Sequence, residues 1–437
     1  CIRDRRFFRA LEYFNKIQLL GDVPWLEVDL NVDSEELYGP KMKRNQVFQK
    51  IIEDLDFAIQ WLPEAGSEEA NRLNKDIARH VKARFCLNEG THYKYHDELE
   101  YASEAEKWLQ MAATESDKLI TSGRYEIYNT GHPQEDYFNM YRIDDKSDLK
   151  EAVLYVDYKT NIREHNMAAA GREAGCGFSK SFVESFLCSD GLPISLSNKY
   201  LGDETMRKET ANRDPRLKQL ILTNDFPTNV TDDLKDSTFV VNEDEFITQH
   251  CFTGYRPIKG FNPIYSQALY MKSSFDGIAY RYAETLLINA EAKAELNTIT
   301  NADLDRTVNQ LRDRVGMPHL TVNVGFTDPK WPDWGYSLSP VLQEIRRERC
   351  IELAGEGFRF NDLKRWKAGK LLNNVLTYVG KRKPDGNLAI VYPNYTNPDL
   401  SYQAGKSRTW EDKMYLYPIP TGELQRNPQL LPQNPGW

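Results

Sequence analysis

Apolar residues recur every three or four positions over most of the first 120 residues of this 437-residue chain. The clearest stretch contains Val47, Ile51, Leu55, Ala58 and Leu62. Such spacing places apolar side chains on one face of an α-helix. That face has to be buried against another element, and Pro63 closes the stretch. Four stretches of this kind, joined by short loops, predict stacked helical hairpins over residues 1–123.

The pattern changes in the middle of the chain, over residues 124–276. Short β-branched or aromatic segments alternate there with Gly, Pro, Asn and Asp, which predicts a loop-rich α+β insert with one helix near Lys180–Phe186. The segments that we interpret as strands are Ala152–Tyr158, Arg216–Leu222, Phe239–Val241 and Ala268–Met271. Helical spacing returns over residues 277–370, including a helix from Asn301 or Asp303 to Val315. Residues 371–437 are rich in Pro, Asn and Tyr, which favours an extended C-terminal strap.

These segments together predict one mostly α domain over residues 1–437. Small residues such as Ala290 and Ala294 lie on one helical stripe and let a neighbouring helix approach closely. Helix pairs of about 34 residues with small residues at their contacts are typical of tetratricopeptide repeats. The predicted fold is therefore a tetratricopeptide-like helical-repeat scaffold that carries the irregular insert.

Composition and spacing exclude several classes of function. The chain has 56 Lys and Arg against 65 Asp and Glu, a net charge of −9, which argues against a nucleic-acid or anionic-membrane surface. No run of 18 apolar residues occurs, so the sequence predicts no membrane-spanning helix. The six cysteines and seven histidines match no metal-ligand spacing. The segment from Asp29 lacks the Gly and Glu of a calcium loop, and we predict neither a metal site nor a cofactor.

Several motifs, in this order along the chain, resemble the SusD/RagB family of outer-membrane nutrient-binding lipoproteins. The most specific is the charged segment Ile345–Trp366, which reads IRRERCIELAGEGFRFNDLKRW. The segment Tyr280–Ala292 is similar to the family's R-Y-A-E helix. The remaining matches are Arg9–Phe14, Gly21–Pro24, Arg213–Leu217, Tyr415–Pro420 and the ending Gln433–Gly436.

The resemblance implies non-catalytic binding of a nutrient at the surface of a Gram-negative outer membrane. The usual nutrient is a glycan, and the usual partner is a SusC-like TonB-dependent transporter. In this family a signal peptide and a lipid-modified cysteine precede the helix that carries Arg9. We therefore expect a segment with the lipid anchor to be missing before Cys1, and we do not assign Cys1 as the acylated residue.

Aromatic residues outside the helical stripes are the candidate ligand-binding residues. Trp331, Trp334 and Tyr336 lie within six residues of a loop that also contains Pro332 and Gly335. Flat rings can stack on the apolar faces of sugars, while nearby polar groups bond the hydroxyls. The alternative is that these rings cover the ends of helices.

Two further candidates, Tyr255 and Tyr265, lie in Gly-containing loops of the middle insert. Aromatic rings in such loops are accessible to a ligand where they do not belong to the core.

The charged segment has two interpretations of its own. Glu348 and Glu352 share a helical face, and two such carboxylates could serve a glycoside hydrolase. Interleaved Arg and Glu can equally lock neighbouring helices by ion pairs, and we favour this structural interpretation because a general acid needs a raised pKa. A peptide-binding or protein-interaction scaffold is the other alternative function.

Overall fold

The structure, a computed structural model, describes residues 2–67, 71–168, 177–224, 241–248, 250–262, 264–390 and 409–437. Within these ranges α-helices dominate, and the prediction of a mostly α fold is confirmed. The helices, α1 to α15 in chain order, are Ile2–Leu20, Arg44–Trp61, Lys75–Tyr95, Ala102–Thr121, Asp136–Tyr141, Lys180–Ser185, Met206–Thr210, Arg216–Leu220, Tyr265–Ala268, Tyr282–Glu295, Asn301–Asp305, Val308–Arg314, Pro340–Glu352, Arg359–Arg365 and Thr421–Arg426. The strands, β1 to β4, are Ala152–Val156, Gly277–Arg281, Val379–Arg382 and Leu388–Ile390.

The long helices begin and end where local chemistry places their boundaries. The Asn74 side chain accepts hydrogen bonds from two backbone amides at the start of α3. The Ser339 side chain accepts one, from the amide of Leu342, at the start of α13, where Pro340 follows. Gly21 ends α1 with a φ of +76°, and its amide donates to the carbonyl of Ile17 at 3.0 Å. The helices predicted for the first 123 residues therefore exist, with boundaries shifted by a few residues.

The N-terminal helices share one large core with the helices of the C-terminal side. Phe14 of α1 stacks on Phe85 of α3 at 3.6 Å between ring centroids, and Trp108 of α4 meets Phe48 of α2 edge-on at 4.8 Å. Helix α10 packs against α3, α4 and α13, so it joins the two ends of the chain. The described residues of the segments 1–123 and 277–370 thus build one scaffold, whereas the tetratricopeptide comparison and the proposed segment boundaries stay predictions.

Helix α3 continues to Tyr95 although it contains Gly90. Gly90 lies where α3 crosses α4. A Cβ atom added to Gly90 would lie 2.9 Å from Cγ of Leu109 and 3.0 Å from its backbone nitrogen. Glycine is therefore present because the two helices approach closely, not because the helix ends.

Three predictions of regular structure in the middle and C-terminal parts are wrong. The segment from Arg216 begins a helix, α8, because Pro215 and the Asp214 carboxylate fix its first turn. The segment predicted as a strand from Ala268 begins with the last residue of α9 and continues as a turn. The single helix predicted up to Val315 is interrupted between α11 and α12, and Thr300 rather than Asn301 caps its first part.

Two small antiparallel sheets complete the fold. The strand predicted from Ala152 is confirmed as β1, which pairs with β2 immediately before α10. Strands β3 and β4 form a hairpin around Asp385 and Gly386, the latter with a φ of +86°. This hairpin corrects the prediction of an irregular strap, and the Asp-Gly pair is the turn signal that we overlooked. Phe239 and Val240, assigned to a strand from the sequence, lie outside the described residues.

The middle insert has a core of its own that includes residues of the scaffold. Phe186, Leu220 and Tyr255 from the insert are buried with Met317 and Ile351 from the C-terminal helices. A smaller cluster contains Trp334, which precedes α13, together with Leu363, Trp366 and Ala368, which lie in α14 or directly after it. The loop that carries the candidate aromatic residues lies where this smaller cluster meets the insert.

Candidate functional site

The loop that carries Trp331 and Trp334 is held against helix α13 by both indole rings. Nε1 of Trp331 donates to Glu344 and Nε1 of Trp334 to Gln343, each at 2.7 Å. Gly335 takes a φ of +82°, and its amide donates to the Asp333 carboxylate at 2.9 Å, which closes the turn. The loop is therefore fixed on its scaffold by hydrogen bonds at two neighbouring positions of one helix.

A cavity of about 720 Å³ opens between this loop, helix α6 and the segment 370–377. Its volume lies within the range of small-molecule sites, and its lining mixes aromatic, aliphatic and polar groups. The aromatic and charged side chains of the lining include Phe182, Glu184, Asp328, Lys330, Trp331, Asp333, Trp334, Arg346, Arg347, Arg359 and Lys370.

The structure separates the three aromatic residues that the sequence grouped together. Trp331 is half-buried and lines the cavity. Trp334 also lines it but is only 6% exposed, because it meets Trp366 edge-on at 5.4 Å. Tyr336 lies apart, where it stacks on Tyr95 at 4.3 Å and lines a separate cavity of about 400 Å³. One candidate ring, Trp331, therefore has the combination of accessibility and fixed position that stacking needs.

The two candidates in the insert differ from each other in the same way. Tyr255 is fully buried, and its hydroxyl lies 2.8 and 2.9 Å from the two carboxylate oxygens of Glu209. A buried ring offers no face to a ligand, so the structure removes Tyr255 from the candidate ligand-binding residues. Tyr265 is 60% exposed at the start of α9 but does not line the cavity beside Trp331. A ligand-binding role for Tyr265 stays a prediction.

The carboxylates of the charged segment lie inside a network of ion pairs. Glu352 is fully buried and contacts three guanidinium groups, those of Arg281 at 2.7 Å, Arg314 at 2.6 Å and Arg216 at 3.0 Å. Burial alone would raise the pKa of Glu352, but the three positive charges outweigh it and hold the pKa well below its ordinary value. Glu352 is thus a structural anion that ties the insert, β2 and α12 to α13.

A second group of ion pairs fixes the helix that follows. Arg365 of α14 binds Glu291 of α10 at 2.6 Å and Asp362 at 2.9 Å, and Trp366 donates from Nε1 to Glu291 at 2.8 Å. Arg346 of α13 binds Glu295 at 2.9 Å and lies 4.7 Å from the ring centroid of Trp334. The charged segment therefore positions the wall of the cavity, which supports its structural interpretation.

Sequence reasoning missed most of the residues that line the cavity. Four of them, Phe182, Arg347, Arg359 and Lys370, come from three different parts of the chain and meet only through the fold. Phe182 stacks on Phe178 at 4.4 Å, and this pair of rings four residues apart was a signal available in the sequence. Arg347 and Arg359 belong to the charged segment, where their neighbours hid any individual role.

Within the described ranges no group of three or more His, Cys, Asp or Glu side chains comes close enough together to hold a metal ion. Cys86, Cys188 and Cys350 are free thiols. Among the same residues, no helix is both long and apolar enough to cross a bilayer.

Comparisons with known proteins place the chain in a family whose members share this fold. The family model described as the SusD family matches residues 118–437, well over half of the chain. The chain therefore belongs to the SusD family, as the resemblance of its motifs predicted.

Individual relatives extend the similarity to the whole chain. The SusD-like protein P2 of Formosa agariphila is 25% identical, over 99% of this chain and 73% of that protein. A SusD-like protein of Bacteroides fragilis has a TM-score of 0.72 at 25% identity, with 99% of this chain and 78% of the other covered. A SusD-like carbohydrate-binding protein of the same species reaches 0.70 at 22% identity over 98% and 79% of the two chains. The latter likeness shows the fold alone.

Proposed function

We propose that this protein captures a glycan without chemical conversion, in the cavity beside Trp331. The observation that carries the proposal is a fixed, half-exposed indole ring on the wall of a cavity of about 720 Å³. A sugar ring can stack on Trp331 while Lys, Arg and Asp side chains of the lining bond its hydroxyls. Family membership supports the same function, since one structural neighbour is a SusD-like carbohydrate-binding protein.

The state of the nearby carboxylates favours binding over hydrolysis. A glycosidase needs one carboxyl group with a raised pKa beside a second carboxylate. In the cavity, burial would raise the pKa of Asp328, but hydrogen bonds from Arg347 and Ser195 lower it overall. Glu184 pairs with Lys330 at 3.2 Å. Glu209 does have a raised pKa because of its burial, but it is closed off from the cavity.

We further propose that the bound glycan passes to a SusC-like TonB-dependent transporter, and that a lipid anchor holds the protein at the outer-membrane surface. Family membership is the support for both steps. Co-purification with a transporter encoded next to this gene tests the partner. Recovery of the protein without any transporter, after mild detergent extraction of the native outer membrane, would contradict it.

Binding is tested by affinity electrophoresis against a panel of polysaccharides, followed by calorimetry with oligosaccharides. Trp331→Ala should lower the affinity about tenfold or more, since stacking of a flat ring on an aromatic side chain contributes about 1–3 kcal/mol. Trp61→Ala is the matched control, because Trp61 is 57% exposed on α2 and does not line the cavity. Equal affinities of both variants would place binding elsewhere.

Two further assays on the unmodified protein distinguish glycan capture from its two rival functions. Steady release of reducing ends from any polysaccharide that it binds, lost on substitution of a single carboxylate, would establish a glycoside hydrolase. Retention of peptides but of no glycan on arrays of both would favour the peptide-binding alternative. We expect neither result.

A further inference from the structure

The charges that line the cavity beside Trp331 do not balance. Five basic side chains (Lys330, Arg346, Arg347, Arg359 and Lys370) face three acidic ones (Glu184, Asp328 and Asp333). The protein as a whole carries the opposite excess, with a net charge of −9. An excess of cations in one cavity of an acidic protein calls for a local explanation.

Three of the five cations are neutralised by carboxylates. Lys330 pairs with Glu184 at 3.2 Å and Arg347 with Asp328 at 2.6 Å. Arg346 pairs with Glu295 outside the cavity at 2.9 Å and is sandwiched among aromatic rings. Each of these three cations therefore already has a carboxylate partner of its own.

Arg359 and Lys370 differ from the other three. In the part of the chain that the structure describes, neither has a carboxylate within ion-pair distance, and both side chains are exposed. The acidic group left over, Asp333, bonds only the backbone of its own turn. Two unpaired cations thus stand at the cavity, and a ligand can reach both.

The backbones that carry these two cations are fixed. Lys370 follows Gly369, whose amide donates to the hydroxyl of Tyr415 at 3.0 Å and whose Cα lies so close to Trp410 that an added Cβ would be 2.1 Å from its ring. Arg359 begins α14, and its guanidinium lies 6.0 Å from the ring centroid of Trp366. Fixed backbones reduce the entropy lost when a ligand binds between them.

We propose that the glycan taken by this cavity is acidic, with Arg359 and Lys370 as the residues that bind its anionic groups while Trp331 stacks on a sugar ring. This inference rests on the proposed function. Guanidinium groups match the oxygen pairs of both carboxylates and sulfates, so a uronic acid and a sulfate ester are the two sources of such an anion. A neutral glycan would leave both cations without a partner of opposite charge.

The test uses pairs of polysaccharides that differ only in charge. Polygalacturonate is compared with its methyl ester, and carrageenan with chemically desulfated carrageenan, by affinity electrophoresis and then by calorimetry of oligosaccharides. We expect retention of at least one acidic member and about tenfold weaker binding of its neutral counterpart. The first pair reports a carboxylate and the second a sulfate.

The double variant R359Q/K370Q should lower the affinity for the acidic probe about tenfold and reduce its dependence on salt between 20 and about 300 mM. The matched control is K16Q/R426Q, which removes the same charge from exposed positions outside the cavity. Equal effects of the two double variants would overturn the inference, because they would show an effect of net charge alone.

Other outcomes distinguish the inference that the glycan is acidic from the proposed glycan capture on which it rests. If neutral and acidic members bind equally and Trp331→Ala weakens both, the acidic assignment is wrong and glycan capture in the cavity stands. If no polysaccharide of either charge is retained, both proposals are wrong. If R359Q/K370Q and Trp331→Ala both weaken binding of the acidic probe alone, both are supported.

Discussion

Two regions of this protein use the same kinds of side chain for different ends. In the layer around Glu352, Arg281, Arg314 and Arg216 are buried, and each binds a carboxylate. At the cavity beside Trp331, Arg359 and Lys370 are exposed and bind none among the described residues. Pairing and burial, rather than residue type, distinguish the structural cations from those that a ligand can use.

The candidate aromatic residues also differ in burial and in hydrogen bonding. Tyr255 is fully enclosed, with its hydroxyl bonded inside the insert, whereas Trp331 turns its polar edge toward α13 and leaves part of its ring accessible. A residue of the first kind should affect stability when it is changed, and a residue of the second kind should affect binding. The comparison is thus open to direct tests.

The largest effect is expected from Glu352→Gln. The substitution leaves three buried guanidinium groups without their shared negative charge, and breaking a buried ion pair by removal of one partner costs about 3–5 kcal/mol. Urea unfolding followed by circular dichroism measures the loss. Glu423→Gln is the control, because Glu423 pairs with Arg426 on an exposed surface, where such pairs contribute at most about 1 kcal/mol. Similar losses of stability in both variants would show that the buried ion pairs of Glu352 contribute no more than an exposed pair.

The free energy of unfolding should fall progressively as the pH is lowered. The pKa of Glu352 is held below its ordinary value in the folded protein, so the unfolded chain binds more protons as the pH falls through about 4.5. Stability that is present above this pH is then lost below it. Burial also lowers the pKa of His92, which starts a gentler decline below about pH 6.5.

Urea titrations at several pH values measure both stages of this decline. Glu352→Gln should flatten the steeper one, below about pH 4.5, because that variant has no carboxyl group to protonate at this position. An unchanged slope in the variant would assign the acid sensitivity to other carboxylates.

Local sequence patterns predicted much of the scaffold but little of the cavity. Apolar spacing and caps are local signals, so helices such as α2 and α13 could be placed within a few residues. The segment Ile345–Trp366 could be interpreted as an ion-pair network because a ring of cations argues against a general acid. Its partner Arg314, however, lies on a separate helix, α12, and matches no motif.

The cavity depends on tertiary contacts, which the spacing of residues along the sequence does not predict. Trp331 was a candidate because it stands in a loop, but the loop alone could not separate it from Tyr336, which turns toward Tyr95. Tyr255 was chosen on the same ground and is buried, because the insert has its own core. Lys370 became visible only when the fold brought it to the cavity wall.

A smaller effect is expected where the scaffold is packed most closely. Gly90→Ala adds a Cβ atom 2.9 Å from Leu109 Cγ at the contact of α3 with α4, and such overpacking costs about 1–3 kcal/mol. Gly422→Ala in α15 is the control, because nothing lies within 4 Å of the added atom. Thermal unfolding should show a lower midpoint for the first variant alone. Equal midpoints would show that α3 and α4 separate easily.

The smallest loss of stability is expected from a substitution of Tyr255, and it tests directly whether Tyr255 and Trp331 have different roles. Tyr255→Phe keeps the ring but removes the hydroxyl that donates to Glu209, and loss of a buried hydrogen bond to a charged group costs about 1–3 kcal/mol. Lys180 still binds Glu209 at 2.5 Å, which places the loss at the lower end of that range. Glycan affinity, measured by calorimetry under conditions where the variant is folded, should stay within twofold of the parent protein. A tenfold weaker affinity with unchanged stability would reverse the roles of Tyr255 and Trp331, because it would show that the insert opens to admit the ligand.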